Sequence, residues 1–76
     1  MNVAAISDQE FAQFQRFIFE AAGISLSPAK KALVSGRLAK RLQHHRLGSY
    51  GEYFRLLANG QASAEVQTAV DLLTTN

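Results

Sequence analysis

The sequence predicts an all-α fold, a small domain of four helices. Apolar residues recur at spacings of three and four along most of the chain, which is the period of helices with one buried face. Helix-starting and helix-ending residues divide this pattern into four segments, and no stretch shows the alternation typical of a β-strand. The length of 76 residues and the hydrophobic share of 47% predict a single globular domain rather than a disordered segment.

The first helix is predicted to begin after Ser7, which forms a capping box with Glu10 three residues later. Gly23 ends it, because glycine readily adopts the left-handed conformation that closes a helix. Phe19 lies outside the apolar stripe and is a candidate for a second contact surface. The stripe consists of Phe11, Phe14, Phe17, Ile18, Ala21 and Ala22.

The second helix is predicted from Ser27 and Pro28 to about His45, since proline suits the first helical position. A second capping box, Ser49 with Glu52, starts a short third helix. Asn59 and Gly60 end this helix, and Ser63 is expected to cap the fourth. The inward positions of these three helices are Val34, Leu38, Leu42, Tyr50, Tyr53, Phe54, Leu57, Val66, Ala69, Val70 and Leu73.

Charge is distributed very unevenly along the chain. The net charge is +2, but the segment from Ala21 to Gly51 has no acidic residue and holds six of the eight lysines and arginines. On a helical wheel, five basic residues fall on one side of the second helix, beside its apolar seam. We call Lys30, Arg37, Lys40, Arg41 and His44 the basic stripe. Such an asymmetry points to an anionic partner.

Two further features favour binding over a purely structural role for the basic stripe. The second helix contains no acid, so it lacks the ion pairs between residues four apart that often decorate a solvated helix. Lys30 and Lys31 lie near its start, where positive charge opposes the helix dipole. An acidic protein surface fits best. Base-reading residues at a recognition-helix start are missing, and Leu33 alone is too little apolar surface for membrane binding.

Other chemistries are not expected from this chain. It has no cysteine, no apolar run long enough for a membrane span and no signal peptide, so we expect a cytoplasmic protein without disulfides. His44 and His45 are adjacent, so their side chains diverge by about 100° and do not chelate one metal ion. We expect neither a metal site nor catalytic residues, and hence an isolated chain without activity.

The residues that resemble a known family are AAGISL, KKALVSGRLAKRL, LGSYGEYFRLL and the terminal AVDLLTTN. Together they resemble the N-terminal all-helical domain of CheR-type chemotaxis receptor methyltransferases. The resemblance covers nearly the whole chain. It implies an enzyme that transfers a methyl group from S-adenosylmethionine to glutamates on the acidic cytoplasmic helices of chemoreceptors. It also implies an α/β catalytic domain after residue 76.

The resemblance assigns roles to particular residues. It implies that Lys30, Arg37, Lys40 and Arg41 bind the receptor, with Lys31, His44 and Arg46 as weaker candidates. Asn76, at the end of the LTTN motif, is implied to contact S-adenosylmethionine. Charge reversal at Arg37 and Arg41 is then expected to weaken methylation without unfolding the domain.

Two alternatives remain open at this point. One is a regulatory docking module that binds an adaptor protein or an anionic nucleotide signal. The other is a nucleic-acid-binding helical module, which would show a steep dependence of DNA binding on salt. We do not expect nucleic acid to be the natural partner.

Overall fold

A computed structural model describes residues 5–60 and 63–74, and it confirms the all-α fold with four helices. Helix α1 spans Asp8–Ala22, α2 spans Lys31–His45, α3 spans Tyr50–Ala58 and α4 spans Ser63–Thr74. A short 3-10 helix, Pro28–Lys30, precedes α2. Helices α3 and α4 each contact both α1 and α2, and the core lies between them.

The ends of α1 are as predicted. The Ser7 hydroxyl accepts a hydrogen bond from the N–H of Glu10, and the Glu10 carboxylate accepts one from the N–H of Ser7. The second carboxylate oxygen of Glu10 accepts from the N–H of Gly51 at 2.8 Å, which ties the start of α1 to the start of α3. Gly23 closes the helix with a φ of 69°.

The second helix differs from the prediction at its beginning. The N–H of Lys30 donates to the carbonyl of Ser27, three residues back, so the chain makes one tight 3-10 turn before α2 begins at Lys31. Such turns are frequent at helix starts. Ser63 likewise is the first residue of α4 rather than its cap. Helix α3 starts where predicted, but the second capping box is only half formed. The Ser49 hydroxyl accepts from the N–H of Glu52, whereas the Glu52 carboxylate accepts from the N–H of Gly48 instead of that of Ser49.

The core contains most of the predicted apolar residues. The prediction that Ala21 and Ala22 belong to the buried stripe was wrong, because both side chains are exposed in the last turn of α1. Phe17, Phe54, Val66 and Val70 are partly buried against the core. Phe14 contributes most to the aromatic packing, since its ring stacks on Tyr53 and meets Phe54 edge-on. The buried predicted residues are Phe11, Phe14, Ile18, Val34, Leu38, Leu42, Tyr50, Tyr53, Leu57, Ala69 and Leu73.

Helix α2 ends on an arginine in the left-handed conformation. Arg46 has a φ of 58°, and the N–H of Leu47 donates to the carbonyl of Leu42 at 2.8 Å. This closure is usually made by glycine, because a side chain crowds the backbone there.

Replacing Arg46 with glycine is therefore expected to raise the free energy of unfolding by roughly 0.5–1 kcal/mol. Arg55→Gly, made inside α3, is the matched control and should lower stability by about 1 kcal/mol. Urea denaturation of the two variants measures both effects. Equal losses for both variants would show that position 46 is not strained.

Candidate interaction surface

The structure separates the predicted binding residues by exposure. Lys30, Lys40, His44 and Arg46 are exposed, whereas Lys31, Arg37 and Arg41 are partly buried. Arg46 lies at the end of α2, where its backbone closes the helix. The stripe remains a surface feature without Arg41. We call these remaining members the outer stripe: Lys30, Arg37, Lys40 and His44.

Two adjoining clefts connect three of the four members of the outer stripe, Lys30, Arg37 and Lys40. The first, of about 370 Å³, is lined by Lys30, Leu33 and Arg37 of the segment around α2 and by Leu73 at the end of α4. The second, of about 330 Å³, is lined by Arg37 and Lys40 together with Asp71 and Leu72 of α4. Arg37 lines both clefts. The part of the outer stripe from Lys30 to Lys40 thus follows the groove between α2 and α4.

Arg37 also forms a hydrogen bond within the domain, to the end of α4. Its Nη1 donates to the carbonyl of Leu72 at 2.7 Å, in the last turn of α4. The final carbonyls of a helix lack partners within the helix and carry partial negative charge. Helix α4 has no basic residue of its own in its last turn. Arg37 therefore supplies from α2 the positive charge that the end of α4 lacks.

Arg41 faces inward, toward the buried carboxylate of Glu65. Its Nε donates to Oε2 of Glu65 at 2.8 Å, and its Nη2 donates to Oε1 at 2.6 Å. The Glu65 carboxylate also accepts from the Tyr53 hydroxyl and lies 2.8 Å from Nε2 of His45. Only 9% of the Glu65 side chain is exposed, so the four groups form a compact polar cluster between α2, α3 and α4.

The groups of this cluster shift one another's pKa values. The hydrogen bonds from Arg41 lower the pKa of Glu65 to about 2, with smaller contributions from Tyr53 and His45, although burial acts in the opposite sense. The same pair of bonds raises the pKa of Arg41. Burial, and then the contact with Glu65, raises the pKa of Tyr53. At neutral pH the cluster is therefore a bidentate ion pair supported by a neutral tyrosine.

The position of Arg41 changes one expectation. Reversing its charge would place two carboxylates face to face in a buried site, so the substitution should not leave the fold intact. Its role in receptor binding stays a prediction. Lys31 is also engaged within the domain, since its ammonium group pairs with the exposed carboxylate of Asp8. Asp8 is the first residue of α1, where the helix dipole favours a negative charge. Its carboxylate also offsets the unfavourable interaction between the Lys31 charge and the dipole of α2.

Glu65 was not among the functional residues predicted from the sequence. A signal was present, because Glu65 lies four residues before Ala69 and eight before Leu73, on the face predicted to be buried. An acid on a buried face requires a cation on the facing helix. A wheel of α2 alone shows that Arg41 borders the apolar seam but does not show which acid from another helix meets it.

Two other predictions concern the histidines and the end of the chain. The rings of His44 and His45 meet edge-on, with centroids 4.9 Å apart, and His45 turns to Glu65 whereas His44 stays on the surface. In residues 5–60 and 63–74, no group of three or more metal-ligating side chains is placed to hold an ion.

Asn76, the predicted cofactor contact, lies outside the described residues. No helix within the described ranges is long and apolar enough to cross a membrane.

Comparisons with known proteins agree on one family. The family model of the CheR methyltransferase all-alpha domain matches residues 9–74. A chemotaxis protein methyltransferase of Escherichia coli is 39% identical over 95% of this chain. Chemotaxis protein methyltransferase 2 of Pseudomonas aeruginosa is 41% identical over 90% of it. The chain spans 25% of the first protein and 24% of the second, about a quarter of their lengths.

Proposed function

Because the chain belongs to the family of CheR methyltransferase all-alpha domains, we propose that it recognises the substrate of a larger chemotaxis methyltransferase. In this proposal the whole enzyme transfers a methyl group from S-adenosylmethionine to glutamates on chemoreceptor helices in the cytoplasm. The domain binds the acidic surface of these helices through the outer stripe. An α/β domain following this segment carries out the transfer.

The spacing of the outer stripe is the observation that carries the proposal. Lys30, Arg37 and His44 are seven residues apart, and Leu33 and Lys40 repeat the same interval between them. This alternation of three and four residues is the pattern with which one helix follows another along its length. The clefts that join Lys30, Leu33, Arg37 and Lys40 support a continuous track along this part of the groove. A partner helix with acids seven residues apart would meet Lys30 in one repeat and Arg37 or Lys40 in the next.

The charges of the outer stripe suit such a partner. Within the described residues, Lys30 and Lys40 form no ion pair and are exposed, so they can reach a carboxylate without breaking an internal contact. Asp71 of α4 lines the cleft beside Lys40 and limits the positive charge at that point. Charge complementarity of this kind chiefly sets specificity and the rate of association.

The cleft at the end of α4 does not suit S-adenosylmethionine itself. The cleft at the end of α4 contains Lys30 and Arg37 and no acid among its lining residues, which is unfavourable for a sulfonium cation. In our proposal Asn76 contributes to the cofactor site together with residues of the catalytic domain. The role proposed for residues 5–60 and 63–74 is therefore recognition.

Charge reversal at two exposed positions tests the proposal. We expect Lys30→Glu combined with Lys40→Glu to weaken binding of a helical peptide with glutamates seven residues apart by about tenfold or more. Fluorescence anisotropy of a labelled peptide measures the affinity, and circular dichroism checks the fold. Arg16→Glu combined with Arg55→Glu gives the same net charge away from the outer stripe and should bind the peptide more tightly than the first double variant.

Two results would contradict the proposal. One is equal affinity of both double variants for the peptide, since net charge alone would then explain binding. The other is undiminished binding of a peptide in which glutamine replaces every glutamate. In the longer enzyme, the first double variant should also reduce methyl transfer to a receptor fragment more than the control does.

A further inference from the structure

Gly36 lies inside α2, and nothing in the described part of the chain requires a glycine there. The helix runs through this position, from Lys31 to His45. Among the described glycines, only Gly23 and Gly60 have a positive φ, so the backbone at Gly36 suits other residues as well. Apart from the backbone of its own helix and the two adjacent residues, a β-carbon added to Gly36 would meet no described atom within 4 Å. Close packing inside the domain therefore does not account for the glycine.

The glycine weakens the helix that contains it. In a helix interior, glycine is less favourable than alanine because it loses more backbone freedom on folding. Gly36 is exposed, and the space around it is open to a longer side chain. A residue that breaks a local rule of stability without a structural reason is typical of a binding position.

Gly36 adjoins the outer stripe at its centre. On a helix surface, residues at positions i, i+3, i+4 and i+7 surround one hole, into which a packed helix inserts a side chain. Four residues of α2 have this spacing, and we call them the α2 notch: Leu33, Gly36, Arg37 and Lys40. Three of them line the two clefts beside α4. Gly36 leaves the remaining side of the notch without a side chain.

We infer that the partner helix approaches α2 most closely at Gly36 and places one acidic side chain in the α2 notch, an inference that rests on the proposed function. The chemistry of the notch suits a glutamate. Leu33 offers an apolar contact to its methylene groups, and the positive charges of Arg37 and Lys40 lie beside the place of its carboxylate. Packed helix axes lie about 8–10 Å apart, depending on the side chains at the contact, so a glycine permits the closest approach.

Replacing Gly36 with glutamine tests the inference, because glutamine obstructs the notch without changing the charge. The affinity of Gly36→Gln for the helical peptide with glutamates seven residues apart should fall about fivefold or more. Its urea midpoint should rise by about 0.3–0.6 M, since glutamine is the better helix former. Gly36→Ala adds one methyl group and should gain at least as much stability with a smaller loss of affinity. Fluorescence anisotropy and urea denaturation of the 76-residue chain measure the two quantities.

Ala12→Gln is the matched control. It introduces the same side chain at an exposed position of α1, where Ala12 lines a cleft with Arg16 and Phe54, away from the outer stripe. Its peptide affinity should equal that of the unsubstituted chain. A purely structural role for Gly36 predicts the opposite stability change, with binding lost only as far as the fold is lost. Higher stability combined with lower affinity therefore distinguishes a partner contact from a structural role.

Two outcomes would overturn the inference: undiminished peptide affinity of Gly36→Gln, or a lower urea midpoint of this variant. Comparison with Lys30→Glu combined with Lys40→Glu separates this result from the fate of the proposed function. If only the charge variant loses affinity, recognition of an acidic helix stands and the close approach at Gly36 is rejected. If only Gly36→Gln loses affinity, recognition by charge is rejected and the close approach stands. If neither loses affinity, both are rejected.

Discussion

Replacing Glu65 with alanine should lower the free energy of unfolding by roughly 3 kcal/mol, because it leaves Arg41 as an uncompensated charge in a partly buried site. Removal of one partner from a buried ion pair costs about 3–5 kcal/mol, and the partial exposure of Arg41 places this case at the lower end. A domain of this size has a total stability of about 4–11 kcal/mol. One substitution on α4 would therefore remove a large part of it.

Urea denaturation followed by circular dichroism measures this effect at neutral pH. Glu20→Ala is the matched control, since Glu20 is an exposed acid on α1 and should change stability by no more than about 0.5 kcal/mol. Tyr53→Phe, which removes one hydrogen bond to Glu65, should cost about 1 kcal/mol. A loss at Glu65 no larger than that at Glu20 would show that the cluster does not stabilise the fold.

Acid should destabilise the domain through the same carboxylate. The pKa of Glu65 is lowered from 4.5 to about 2 in the folded domain, so its stabilisation is fully present above pH 4.5 and is lost as the pH falls through about 2. The loss amounts to about 3 kcal/mol. Urea midpoints measured at several pH values between neutrality and pH 2 would follow it.

Glu65→Gln is the control for acid sensitivity, because glutamine cannot be protonated in this range. The variant should start from a lower stability and show a much shallower decline in acid. Some decline remains, since the hydrogen bond and charge of Lys31 lower the pKa of Asp8. Burial raises the pKa of Glu10, but hydrogen bonds from Ser7 and Gly51 outweigh it and leave the value lowered. An unchanged acid decline in Glu65→Gln would contradict the assignment.

The local signals in the sequence predicted the helices well. Ser7 with Glu10 and Ser49 with the N–H of Glu52 act within four residues, so their caps can be inferred without knowledge of the fold. The left-handed closure at Arg46 could not be predicted, because an arginine carries no preference for that conformation. The residue that follows, Leu47, is partly buried against the core, a contact that the local sequence does not reveal.

The interaction surface was predictable only in part. The spacing of Lys30 and Lys40 places them on the surface of any helix with this apolar seam, and both are exposed. Arg37 and Arg41 fall on the same side of the helical wheel as these two lysines. Both, however, contact α4, so their surroundings depend on how that helix is placed. Loss of methyl transfer in an Arg41 variant would therefore need a stability measurement before it could be attributed to the receptor.

The carboxylate of Glu65 also governs how the domain comes apart. Its partners reside on α2 and α3 while Glu65 itself belongs to α4, so separating any of these helices from the others exposes the same charged group. Detaching one helix therefore costs much of the free energy that complete unfolding costs, but it releases only a small part of the conformational entropy. The three helices should consequently melt as a single cooperative unit, despite a chain too short for an extensive core.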